Sequence, residues 1–178
     1  PVGGGNDVVL GAVAIAGNSQ IDPLTALGSK LLDGVIADGS LLDTFVNDSS
    51  YLGILPSPTS NQLKQNIDLI VVSEYLGSTL TSLDFVMDAK FTGGPQGDIL
   101  QQVELFNLDT SQWESIDERS AMTSDSQLQI PVTGDISRFV NSVNGEVRAR
   151  VGWLSPVFYT QGFEWDVEID QLGWLFND

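Results

Sequence analysis

Two stretches near the C-terminus alternate strictly between apolar and charged residues, and that period restricts the fold more than any other feature. In the segment 146–153, Val147, Ala149, Val151 and Trp153 fall in one phase, with Arg148 and Arg150 in the other. In the segment 165–170, Trp165, Val167 and Ile169 alternate with Asp166, Glu168 and Asp170. A period of two places successive side chains on opposite faces of an extended chain, so each segment reads as a half-buried strand. Similar runs lie upstream at 51–55, 65–74, 80–90, 99–107, 113–119 and 126–131, and the last run, 162–169, continues to 176. Turn signals divide them, among them Pro56-Ser57-Pro58, Gly93-Gly94-Pro95, Gly134-Asp135 and Asn144-Gly145. About eight short strands at this spacing predict an all-β fold, a two-sheet sandwich or jelly roll.

The N-terminal fifth reads differently. Gly3-Gly4-Gly5 marks a flexible leader, and the uncharged run from Val8 to Ala16 reads as a strand. Residues 1–18 are therefore expected to form a leader and N-terminal strand, with 19–178 a single β-sandwich domain. The first residue is Pro1, without an initiator Met, and reads as a processed end. Asp22-Pro23 suits the cap and first position of a short helix carrying Leu24, Ala26, Leu27, Leu31 and Leu32. Residues 40–47 and 135–140 each read as one further helical turn.

Composition closes off whole classes of chemistry. His and Cys are both absent. Ser-His-Asp and Cys-His triads, His or Cys zinc sites, haem thiolates, iron–sulfur clusters and disulfides are thereby excluded. Against 24 acidic residues stand 7 basic ones, a net charge of -17. Such a surface repels nucleic acid and anionic lipid. The longest apolar run, Val8–Ala16, is nine residues, well short of the ~20 that span a bilayer as a helix. No membrane insertion is expected. The excess of Asp suits an extracellular or saline setting, at the cell surface or in the medium, and supplies hard oxygen ligands for Ca²⁺.

A set of motifs occurs in one order: 102–110, Trp113-Glu114, 117–119, 123–126, 133–139, 147–153 and 165–174, preceded by 47–52. In that order the chain resembles, over roughly residues 39–176, an uncharacterised jelly-roll-like β-sandwich domain of large secreted bacterial surface proteins. The resemblance implies a sandwich, export and no assigned activity, so it transfers no catalytic residue. Positions 166 and 168, often basic in that domain, are Asp and Glu here.

Four constellations invite a functional reading. Glu164, Asp166 and Glu168 match the alternating carboxylates of jelly-roll glucan hydrolases, whose two working carboxyls stand ~5 Å apart for retention. Asp166, Glu168 and Asp170 also suggest a cation site, but next-but-one strand residues sit ~7 Å apart. A metal there would need loop carboxylates such as Asp117, Glu118 and Asp125. The competing expectation is cross-strand pairing of that face with Arg148 and Arg150. Trp113, Tyr159 and Trp174 are the rings that could stack on a neutral glycan. Finally, Val8, Val9, Leu10, Val13 and Ile15 could add a strand to a neighbouring copy, building a homopolymer.

The leading expectation is a non-enzymatic extracellular structural or interaction protein, a self-assembling surface filament subunit built by N-terminal strand exchange. The alternative is a carbohydrate-binding β-sandwich module, and a glycoside hydrolase is the third reading. No organic cofactor is expected, and Ca²⁺ is an ion the carboxylates suit.

Overall fold

The computed structural model describes residues 22–23, 25–45, 47–48, 50–57, 64–77, 79–93, 99–155 and 165–177, with the backbone alone at 22–28. The strands are β1 (Asp22–Pro23), β2 (Thr25–Asp33), β3 (Val35–Asp38), β4 (Leu52–Leu55), β5 (Ile67–Glu74) and β6 (Ser82–Gly93). They continue as β7 (Leu100–Asn107), β8 (Gln112–Ser120), β9 (Gln127–Pro131), β10 (Glu146–Leu154) and β11 (Trp165–Asn177). Two 3₁₀ turns, Leu41–Thr44 and Ile136–Phe139, interrupt them.

The strands form two antiparallel sheets. The larger runs β3-β4-β11-β6-β9, with β1 also on β11, and the smaller runs β2-β5-β10-β7-β8. The expected sandwich is what forms. Its core is the apolar phase of each strand: Leu83, Phe85, Met87, Ala89 and Phe91 from β6 meet Val147, Ala149, Val151 and Trp153 from β10 in one cluster. The helical turn expected at 40–47 forms as the 3₁₀ turn at Leu41–Thr44. There Asp43 accepts a hydrogen bond from the Ser40 backbone N–H at 2.6 Å. The turn expected at 135–140 is also present, capped by Asp135, which accepts from the Ser137 N–H at 3.0 Å.

The helix expected from Asp22-Pro23 onward does not form. That stretch is β1 and β2, and β2 pairs antiparallel with β5. Leu31 packs against the core while Leu32 is exposed. Pairing with an open sheet edge overrides a local cap signal, because Gly28 and Gly34 already limited any helix there.

Along β11 the register with β6 shifts between Ile169 and Gln171: Ile169 faces Ala89, Gln171 faces Asp88, and Asp170 is the extra residue of a bulge. Before the bulge the odd positions Trp165, Val167 and Ile169 face the core, and after it the even positions Leu172 and Trp174 do. An inserted residue reverses the phase of a period-two strand. Asp170 and Gln171 therefore both lie opposite the core, side by side.

A carboxylate-rich face as the candidate functional site

The outer face of the larger sheet collects the charged phase of β6 and β11. Across four strands, the register places Asp38, Gly53, Glu168 and Lys90 in one row. Gly53 brings bare backbone between two carboxylate positions, which opens a depression of about 500 Å³. Asp38, Asp43, Ser50, Tyr51, Asp166 and Glu168 line it. Lys90 Nζ bonds Glu168 Oε2 at 2.8 Å and also lies 4.3 Å from the centroid of the Tyr51 ring. The Glu168 carboxylate holds the Lys90 ammonium above its usual pKa. Asp166 accepts a hydrogen bond from the Thr92 hydroxyl.

Beside this row lies a second, Gln127, Asp88 and Gln171. The Gln127 amide donates to Gln171 Oε1 at 2.7 Å. The bulge sets Asp170 next to this row. The loop leaving β8 supplies the last member. Its Ala121 N–H bonds the Ile99 carbonyl, and Met122 accepts from the Phe91 N–H. The loop thus crosses from the smaller sheet to the larger and carries Asp125 to the Tyr51 hydroxyl, which donates to Asp125 Oδ2 at 2.7 Å. Asp88, Asp125 and Asp170 each offer a carboxylate oxygen within 4.8 Å of the others.

The three carboxyls are held differently. Burial raises the pKa of Asp88, and the Asp125 carboxylate beside it pushes the same way against the Asn47 amide. Burial also raises that of Asp170, partly offset by the Asp48 backbone N–H. The Tyr51 hydroxyl draws exposed Asp125 below its ordinary value. The same bond raises the Tyr51 phenol.

The residues singled out from the sequence separate into three groups. Asp125, Asp166, Glu168 and Asp170 share this face. Asp117 and Glu118 do not: both are on β8 in the smaller sheet, and Asp117 is paired with Arg119. They cannot complete a site with the other four. The expected pairing with Arg148 and Arg150 fails for the same reason. β10 belongs to the smaller sheet, where Arg150 bonds Asp68 at 2.7 Å and Arg148 pairs with Glu146. Alternation shows which residues share a face of one strand and nothing about which strand lies alongside.

Trp174 is a correction of another kind. It is 0% exposed and packs edge-on against Phe85 at 4.9 Å. Extending the period from Asp166 would turn it outward, and the Asp170 bulge turns it in. It can stack on no ligand. Trp113 is half-buried on β8, with its ring edge-on to Phe106 at 5.3 Å. Tyr159 and Glu164 lie outside the described residues, as do Val8, Val9, Leu10, Val13 and Ile15. Asp88, Asn47 and Tyr51 carried no functional signal in the sequence. Asp88 falls in the polar phase of a strand, and nothing local announces that a loop 37 residues away will meet it.

No family model and no curated protein sequence matches the chain. Several solved structures resemble it in fold. A CBM4 structure aligns at TM-score 0.49 and 10% identity, covering 84% of this chain and 86% of that one. A mutant of CBM29-2, from work on ligand recognition by family 29 carbohydrate-binding modules, aligns at TM-score 0.47 and 10% identity, covering 86% and 85%. A mutant Ruminococcus gnavus GH29 fucosidase in complex with fucose aligns at 0.41 and 10%, covering 82% of this chain and 24% of that one. At one identical residue in ten, the likeness concerns the arrangement of strands alone.

Proposed function

We propose that this chain is a non-catalytic binding domain that works outside the cell and takes a neutral, hydroxyl-rich glycan on the outer face of its larger sheet. The observation that carries this reading is the depression over Gly53. Its rim holds carboxylates and hydroxyls from Asp38, Asp43, Ser50, Asp166 and Glu168, with the Tyr51 ring as one wall. Carboxylates accept hydrogen bonds from sugar hydroxyls, and an aromatic wall suits the apolar face of a pyranose. A polar rim of this kind suits a hydrated ligand better than an apolar protein partner. The net charge of -17 disfavours uronates and sulfated chains. A binding role also agrees with Glu168, whose carboxylate is held by Lys90 as an ion pair instead of being left free to pass a proton.

A panel of neutral and anionic glycans, followed by calorimetry on the hits, tests this. Binding is expected among neutral glycans. Tyr51→Ala and Asp166→Ala should each weaken it by about tenfold, and Trp113→Ala on the opposite sheet should leave it intact. Failure of every neutral glycan to bind would refute the reading. So would binding lost in Trp113→Ala and kept in Tyr51→Ala.

A further inference from the structure

We infer that Asp88, Asp125 and Asp170 form a divalent cation site suited to Ca²⁺, assembled by the β11 bulge and the loop after β8. One oxygen of each carboxyl lies within 4.8 Å of the others. Two ligands of one Ca²⁺, each at 2.3–2.6 Å, stand at most about 5 Å apart. Shifts of about 0.2 Å bring all three within reach of a single ion. The donors are hard oxygens without nitrogen or sulfur, which selects Ca²⁺, Mg²⁺ or Mn²⁺ over zinc or copper.

A second observation is independent of that spacing. Asp88 is 3% exposed, and its Oδ1 is buried without a well-formed hydrogen bond, although the Ser126 backbone N–H and the Asp125 carboxyl lie beside the Asp88 carboxyl. Its other oxygen accepts from the Asn47 amide at 2.7 Å. A buried carboxylate oxygen without a well-formed bond is costly, and a bound cation removes that cost. Asp170 is 1% exposed and accepts only at Oδ1 from the Asp48 N–H, at 3.1 Å, among the hydrogen bonds described. The nearest ammonium is committed elsewhere, since Lys90 is bonded to Glu168.

The surroundings can complete a coordination sphere. Rotation of the Asn47 amide would turn its carbonyl oxygen toward the position its nitrogen now holds beside Asp88. Exposed Asp125 leaves the site open on its solvent side, where water can supply the rest of the six to eight oxygens Ca²⁺ takes. Mg²⁺ demands a stricter octahedron and gives up its own water reluctantly, so a site of three carboxylates on three different segments favours the larger ion. The site adjoins the glycan depression through Tyr51, whose hydroxyl bonds Asp125, but none of its three carboxylates lines that depression, and it does not depend on glycan binding.

The test uses the full chain stripped with EDTA and titrated with CaCl₂ in a calorimeter, alongside thermal melts. One saturable site is expected. Tm should rise by about 5–10 °C when Ca²⁺ exceeds its dissociation constant by about a hundredfold. Asp125→Asn, at an exposed position, should keep the fold and weaken Ca²⁺ at least about tenfold. Asp88→Asn should melt in EDTA at or above the parent chain and gain nothing from Ca²⁺, a pattern that general misfolding would not produce. Asp117→Asn on β8 should respond like the parent. The inference is overturned if the parent chain shows no saturable heat or melting shift. It is equally overturned if NaCl at matched ionic strength reproduces the shift, or if Asp125→Asn and Asp88→Asn both keep the full response. No glycan enters the experiment, so its outcome and that of the glycan panel are separable.

Discussion

The outer faces of the two sheets carry charge in opposite ways. On the smaller sheet cations and carboxylates are matched: Arg150 bonds Asp68 and Glu104, Arg148 pairs with Glu146, and Arg119 with Asp117. Arg138, in the 3₁₀ turn beside it, reaches Glu114 at 2.7 Å. All four arginines of the chain are thus on or against that side. On the larger sheet Asp84, Asp88, Asp166, Glu168 and Asp170, with Asp125 from the loop, face Lys90 as the one cation among the described residues of that face. The excess charge of the molecule is therefore localised. One face pairs its arginines with its own carboxylates, and the other is left to be neutralised or hydrogen-bonded by something that arrives.

Three experiments separate the faces. The largest effect should come from Trp174→Ala, on the inward phase that follows the bulge. Trp174 is fully buried and packs edge-on against Phe85, so truncating it should cost roughly 3–5 kcal/mol in urea unfolding, with loss of near-UV Trp signal. A variant that melts as the parent does would show that the phase after the bulge does not hold the core. Next is a matched pair of substitutions, one on each face. Asp68 is buried and held by two bonds from Arg150, so Asp68→Asn should cost roughly 3 kcal/mol in urea unfolding. Asp88→Asn, in chelator, removes a buried charge that has a like charge beside it, and should be neutral or stabilising by about 1 kcal/mol. Equal costs at the two sites would erase the contrast.

The smallest effect is a pH dependence on the matched side. The Arg138 guanidinium, with help from Asn107, holds Glu114 below its ordinary pKa of 4.5. A carboxyl lowered in the folded state binds its proton more readily when unfolded. Its contribution is present above pH 4.5 and lost as pH falls through the lower folded value. Glu114→Gln should remove that part of the acid loss, leaving the melting curve flatter below pH 4.5 and little changed at pH 7. Glu114 is 42% exposed on its side chain, so solvent screening keeps the effect small. An unchanged acid limb would show that the pair contributes nothing.

Comparison of sequence and structure shows where local information stops. The class of fold, the inward phase of β10, the first half of β11 and the turn at Asp135 were all readable from alternation and turn chemistry. The stretch from Asp22 was not, because a cap signal with Gly28 and Gly34 nearby is weak against an unpaired sheet edge. Trp174 was misplaced by a single inserted residue. Two of the three clustered carboxylates, Asp125 and Asp170, were singled out from the sequence, and the third was not. Asp88 looked like any polar strand position.

Alternation, turn residues and the absence of imidazole and thiol act within a few neighbours or on the whole composition. They suffice to specify a two-sheet β-sandwich, the core face of most strands and the exclusion of His- and Cys-dependent chemistry. Which strands lie side by side, where the ladder takes up an extra residue and which loop crosses between sheets depend on contacts between distant segments. Those contacts gathered Asp88, Asp125 and Asp170 from three parts of the chain. They also left the larger sheet's outer face with its charge unmatched.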